Sequence, residues 1–193
     1  MGKPSKEVRI ISGRFKGRKL FVNDTNVKPT PDRVRETLFN WLEPFVSGSS
    51  VLDLFAGTGV LGIEALSRGA LSATLVDHSD LAHKNLEKLL LVLDLENCTN
   101  LCLDAEKLVS KTNSSSPYSI IFLDPPYGVY EHSELIEKLY KNKWADETTL
   151  IYCESGRPIK IDENYKHYIF KESKAGEVSV SYTHLTLPTK RIV

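Results

Sequence analysis

Residues 51–62, VLDLFAGTGVLG, constrain what this chain can fold into more than any other stretch. A short apolar run ends in a carboxylate, Asp53, passes through Phe55, Ala56, Gly57, Thr58 and Gly59, and opens an amphipathic helix. Glycine at 57 and 59 lets the backbone take positive φ and lets a ligand lie on the main chain, where a Cβ would clash. The stretch therefore reads as strand, tight turn and helix start, with the turn as a seat for a small molecule. As a pattern, Gly57-x-Gly59-x-x-Gly62 matches the dinucleotide fingerprint, and Asp77 stands where a ribose-binding acid is expected.

Two ligands compete for that seat. The pyrophosphate of NAD needs the amides and positive dipole of a helix N-terminus, and a carboxylate just before the turn would repel it. Asp53 suits instead a ligand that presents an ammonium group. S-adenosylmethionine carries an ammonium, a sulfonium and a ribose diol. The stretch resembles motif I of the class I methyltransferases, and the resemblance puts Asp77 in the place of the acid that holds the ribose hydroxyls, with His78 beside it.

At 193 residues the chain fits one domain with a full core. Formal net charge is zero, which argues against global attraction to nucleic acid, but the charges are unevenly placed. Residues 1–22 hold seven cations against Glu7 alone, so a neutral total hides a basic N-terminus. Three cysteines, Cys98, Cys102 and Cys153, show no CxxC spacing and are read as buried thiols, with neither a disulfide framework nor a metal site. The start MGKPSKEVRI lacks an apolar leader and no run approaches a membrane span. The expectation is a soluble, cytoplasmic protein.

In chain order, residues 8–12 and 19–22 read as strands around the turn GRFKGR, giving a hairpin with a basic tip. Its ordinary reading is a solvated edge hairpin. Its functional reading is an RNA-contacting arm, with Arg14, Lys16, Arg18 and Lys19 toward phosphates and Phe15 available to stack. A helix follows from Pro31 to about Leu42, with Thr30 as N-cap and Val34, Leu38 and Trp41 or Leu42 buried. Arg33 and Arg35 on this helix are either a solvated face or border the active site.

With KPTPDRVRETLFNWL and VLDLFAGTGVLGIEALSRGA added to RIISGRFKGRKL, the sequence resembles the bacterial RsmD family, the 16S rRNA guanine-N2 methyltransferases, over residues 8 to about 178. Beyond the glycine turn, a helix from Leu61 to Arg68 closes at Gly69, a strand from Leu71 to Val76 ends at Asp77, and a helix over about 80–93 shows Leu81, Leu86, Leu89, Leu90 and Leu93 on one side. A strand over 99–103 is followed by Asp104 and Ala105; the resemblance implies that Asp104 meets the donor's adenine amine, and helix capping is its alternative. A strand over 119–123 delivers Asp124-Pro125-Pro126-Tyr127, a helix runs over 131–140, a strand over 149–153, and residues 165–170 with 178–182 form a closing antiparallel pair.

The expected architecture is an α/β, doubly wound, Rossmann-like class I methyltransferase sheet with an N-terminal β-hairpin extension. Residues 1–28 form the basic arm, 29–181 the methyltransferase domain and 182–193 a threonine-rich, frayed tail unlike the family ending. In such a sheet the strand order reverses between the Asp53 and Asp124 strands, so both carboxylates should flank one crevice.

The chemistry is read at DPPY. A nucleobase amine is a poor nucleophile because its lone pair is delocalised into the ring. Asp124 can accept one amine N–H and the Pro125 carbonyl the other, drawing the nitrogen toward tetrahedral geometry. Pro126 has no N–H to compete, and Tyr127 offers a stacking face. The predicted donor is S-adenosylmethionine. The predicted partner is 16S rRNA in the 30S subunit or an assembly intermediate, met by a monomer; the family resemblance implies guanine 966. Two readings stand beside it: an N6-adenine methyltransferase on DNA or RNA, since DPPY serves either amine, and a non-catalytic RNA-binding assembly factor.

Overall fold

The computed structural model describes residues 6–22, 30–126, 128–155, 169–175 and 178–183. Tyr127 and the tail from residue 184 lie outside them. Strands β1 (Lys6–Arg9) and β2 (Lys19–Val22) pair antiparallel as the expected hairpin. The strands β3 (Ser50–Asp53), β4 (Ser72–Asp77), β5 (Cys98–Cys102), β6 (Ile120–Leu123) and β7 (Leu150–Ser155) are all parallel, and β8 (Ile169–Ala175) and β9 (Val178–Thr183) add an antiparallel pair. The order across the main sheet is β5-β4-β3-β6-β7-β9-β8. β3 and β6 are thus neighbours at the point where the order reverses, as the sequence predicts.

The central strands are buried on both faces, which is why VLDL and IIFL run almost without alternation. One face carries helices α1 (Asp32–Val46), α2 (Val60–Ser67) and α3 (Asp80–Leu93) together with the hairpin; the other carries α4 (Ala105–Val109) and α5 (His132–Lys141). α2 is buried along its whole length. It lies against the sheet on one side and receives the hairpin on the other, so an all-round apolar helix is what this position needs.

Several local expectations are corrected. α1 runs to Val46, past Pro44, and Pro31 rather than Thr30 occupies its N-cap position; Thr30 is buried and makes no side-chain cap bond there. A proline inside the last turn costs little, because the helix has almost ended. In α3, Leu86, Leu90 and Leu93 are buried and Leu89 packs beside them, but Leu81 is exposed. Cys153 is buried, whereas Cys98 and Cys102 are only half-buried. The expected start of the eighth strand at Tyr165 lies outside the described residues; the described strand Ile169–Ala175 pairs with β9 with an irregularity between Ile169 and Lys171. Among the described residues no helix is long and apolar enough to cross a membrane.

Candidate active site

The glycine turn after β3 is held by two carboxylates. Asp77 accepts the Gly57 N–H at 2.8 Å through one oxygen and the Ser79 N–H at 2.8 Å through the other. This fastens the turn to the end of β4. Asp53 is buried and accepts the Gly62 N–H at 3.2 Å, an orphan amide of the first turn of α2. A carboxylate from the preceding strand therefore already occupies the positive end of this helix, where a pyrophosphate would have to sit. Gly59 has φ +73°, and a Cβ there would meet Leu86 Cδ2 at 2.4 Å. Gly62 has no such φ, but its Cβ would come within 2.3 Å of Leu75 Cδ2. The two glycines are needed for different reasons, backbone conformation together with space at one and space alone at the other.

Asp124 follows β6 on the same sheet face as Asp53. The register sets Asp53 opposite Phe122 and Leu123 opposite Cys153, so Asp124 lies next to Glu154 on β7 and a short step from Asp53 on β3. Burial pushes the Asp124 carboxyl up to about 8, with the negative Glu154 and Asp53 adding to the effect. Burial likewise lifts Asp53 to about 7, against the opposing pull of the Gly62 amide. A crevice whose acids repel one another favours a cation. Pro125 is buried and Pro126 exposed.

The residues expected to meet the donor's adenine and ribose lie on the other flank. Ala56 is buried, with its N–H on the Val76 carbonyl at 2.9 Å; Phe55 is half-buried, as are Gly57 and Thr58. His78 is largely exposed, with Nδ1 3.8 Å from Asp77. Asp104 does cap α4, accepting the Lys107 N–H at 2.8 Å through one oxygen. Its other oxygen accepts the Tyr130 hydroxyl at 2.8 Å. These bonds hold its carboxyl below the usual range, the Lys107 amide contributing most. Ala105 is buried beneath it.

The basic residues divide. Arg14, Lys16 and Arg18 are exposed at the hairpin tip, Arg33 is exposed on α1, and Lys19 is exposed but ion-paired with Glu7 at 2.7 Å. Arg35 is completely buried, bonded to Asp32 at 2.7 Å and to the Arg9 carbonyl at 2.9 Å and lying 3.6 Å from Glu64. It does not present its charge to a substrate. Phe15 is also buried, in the main core, with the Arg14 guanidinium 5.1 Å from its ring centroid, so the expected stacking face is unavailable.

The hairpin is a fitted part rather than a loose arm. Glu64 of α2, itself fully buried, accepts the Ile11 N–H at 2.7 Å and the Ser12 N–H at 3.0 Å and pairs with Arg68 at 2.8 Å. Ser67 donates to the Ser12 carbonyl and accepts the Phe15 N–H at 2.9 Å. Glu64, Ser67 and Tyr130 have no motif to announce them; a lone glutamate inside the apolar run VLGIEALS is the one sequence signal among the three.

The family model described as conserved hypothetical protein 95 matches residues 8–184. The chain is 39% identical over 180 residues to ribosomal RNA small subunit methyltransferase D of Escherichia coli strain K12, covering 91% of this chain and 88% of that one. The solved structure of yhhF from Escherichia coli superposes with a TM-score of 0.83 at 38% identity, over 93% of this chain and 98% of that one. HI0767 of Haemophilus influenzae gives 0.79 at 34% identity, over 94% and 100%. The chain belongs to this family, the RsmD family, and carries its class I methyltransferase fold.

Proposed function

We propose that the protein transfers a methyl group from S-adenosylmethionine to the exocyclic N2 amine of a guanine in 16S rRNA, in the 30S subunit or a precursor of it. The observation that carries this reading is the pair of carboxylates, buried Asp53 and half-buried Asp124, set at the ends of adjacent strands at the switch point with raised proton affinities. Their surroundings fit a ligand bearing an ammonium and a sulfonium and do not fit a pyrophosphate. The name of the Escherichia coli relative supports ribosomal RNA of the small subunit as the substrate. The N2 atom and the nucleotide rest on the family resemblance.

S-adenosylmethionine, when bound, supplies an electrophilic methyl carried by a departing sulfur. This chain supplies the rest. Asp53 takes the ammonium side of the donor, and Asp77 with His78 takes the ribose. Phe55, Ala56, Gly57, Thr58 and Gly59 form the floor, and Asp104 with Ala105 the adenine side. Asp124 accepts one N–H of the target amine and the Pro125 carbonyl the other, leaving the nitrogen lone pair free to attack; Pro126 holds the bend without offering a competing donor. As the N–C bond forms and the S–C bond breaks, positive charge passes to the amine beside Asp124, which receives the released proton. A carboxylate there favours the transition state over the ground state. Tyr127 is assigned as a stacking face from the sequence alone. Arg14, Lys16, Arg18, Lys19 and Arg33 meet phosphates, in a bacterial cytoplasm, with the protein acting as a monomer.

The test is transfer of labelled methyl to unmethylated 30S particles, naked 16S rRNA and duplex DNA in parallel, with nucleoside analysis. N2-methylguanosine from the ribosomal samples is the expected product. N6-methyladenosine would keep donor and fold and overturn the acceptor. Asp124→Ala is expected to abolish transfer while leaving RNA binding intact; a variant still supporting full methylation removes Asp124 from the chemistry.

A further inference from the structure

The loop after β6 carries the amine-handling residues, yet its far end is fastened on the other side of the donor seat. Asp104 follows β5 and Asp124 follows β6, and these strands are three places apart in the sheet, a separation of roughly 14 Å at the usual strand spacing. Tyr130 closes that gap. Its hydroxyl donates to Asp104 at 2.8 Å, and its ring lies 5.1 Å from the ring of Phe55, in the glycine turn after β3. The loop is stiffened between these points by a turn, with the Val129 N–H on the Pro126 carbonyl at 3.3 Å and Gly128 at φ +74°. It is anchored behind by His132, whose Nε2 is 3.0 Å from the Glu154 carbonyl oxygen. Six residues of chain reach at most about 20 Å, enough to cross that separation with a turn in the loop. A planar ligand lodged by Phe55 and Asp104 has Tyr130 as its third wall.

We infer that Tyr130 is a donor-pocket residue: a latch that draws the substrate-handling loop across the donor's adenine by holding Asp104 and packing on Phe55. The inference rests on the reading of the donor as S-adenosylmethionine. It adds to that reading a physical link between donor occupancy and placement of the loop that meets the nucleobase. Asp104 retains acceptor capacity on each oxygen while bonded to Lys107 and Tyr130, so the adenine amine and the latch can share one carboxylate.

The experiment is binding of S-adenosylhomocysteine to the full chain, wild type against Tyr130→Phe and Tyr130→Leu, by calorimetry and by stopped-flow dissociation. Hydrogen exchange of the amides of residues 128–131 is followed in parallel. Tyr130→Phe is expected to dissociate the ligand roughly five- to tenfold faster, the scale of one net hydrogen bond in a partly exposed site, and Tyr130→Leu faster still. In wild type, ligand should slow exchange in the loop; in Tyr130→Phe that protection should largely vanish, a change that a merely packing role would not produce. Unchanged dissociation and unchanged protection in both variants overturn the latch. Tighter binding by Tyr130→Phe overturns it as well, since the hydroxyl would then be competing with the donor for Asp104. Failure of the wild type to bind S-adenosylhomocysteine removes the donor assignment itself, and the latch with it.

Discussion

Asp53 and Asp124 titrate in a range that makes their function depend on pH. Folded-state values of about 7 and about 8 lie above the ordinary 3.8, so the native protein keeps protons that the unfolded chain has already released. The free protein therefore loses stability as pH rises from about 4 to about 8, where these acids must ionise in a buried site. Asp124→Asn removes one such ionisation. It should melt at a higher temperature than wild type at pH 8 and show no such advantage at pH 4, as thermal unfolding without ligand would reveal. A cationic donor reverses the balance by rewarding the ionised acids. Affinity for S-adenosylmethionine should climb between pH 6 and pH 8, by up to about tenfold per unit for each carboxylate that must deprotonate. S-adenosylhomocysteine, which lacks the sulfonium, should climb less steeply. Equal slopes for the two ligands would mean that these carboxylates do not sense the sulfonium. These acids were legible in the sequence because a local motif names each one and the crossover rule brings them together. Arg35 and Phe15 were not, since whether a cation or a ring in a basic segment faces solvent is decided by which helix the segment docks on.

That docking is the property of an element, α2, and its energetics concentrate in Glu64. The carboxylate is fully buried between Arg35 and Arg68 and two hairpin amides. Glu64→Gln would remove one of two counter-charges from Arg35, which keeps Asp32, and from Arg68, which keeps Glu43, and would weaken the charge-assisted bonds to the hairpin amides, a loss of about 1.5–3 kcal/mol. The expected outcome is a large drop in melting temperature together with faster proteolysis within residues 6–22. Gly13 tests the same contact from the other side: it stands at φ +80°, and a Cβ there would meet the Ser67 carbonyl oxygen at 1.7 Å, a backbone atom that cannot yield. Gly13→Ala should therefore undock the hairpin, whereas Gly17→Ala, at φ +81° with nothing within 4 Å, carries only the conformational cost, of order 1 kcal/mol. A Gly13 variant as resistant to proteolysis as wild type would contradict the fitted geometry. At this scale the periodicity located the parallel strands and the longer helices, whereas α4 was foreseen only as a cap at Asp104, and the helix ends were missed. Thr30 is a good capping residue by chemistry but is buried one position too early.

Across the whole molecule the neutral total conceals a directed charge. Arg14, Lys16 and Arg18 lie exposed at the tip of a hairpin whose apolar residues, Val8, Ile10, Phe15 and Leu20, belong to the same core as β3 and α2. The basic tip is thereby fixed relative to the crevice between β3 and β6, although the two are far apart in sequence. A rigid cationic tip fits an extended polyanion that must be held while one base enters the site, and phosphate contacts position without reading sequence. The triple substitution Arg14→Ala, Lys16→Ala and Arg18→Ala should then weaken binding of 16S rRNA fragments whatever their sequence. It should lower the slope of log affinity against log salt by about 2–3, since each lost phosphate contact removes roughly 0.7–0.9. With 30S particles, KM should rise while kcat changes little, because the substitutions leave Asp124 and Pro125, the residues proposed to handle the amine, in place. Affinity for S-adenosylhomocysteine should be unchanged, since the core that holds the hairpin is untouched. An unaltered salt slope would place the RNA on another face of the molecule, and a fall in kcat at unchanged KM would mean that the tip acts on the chemistry instead of on docking.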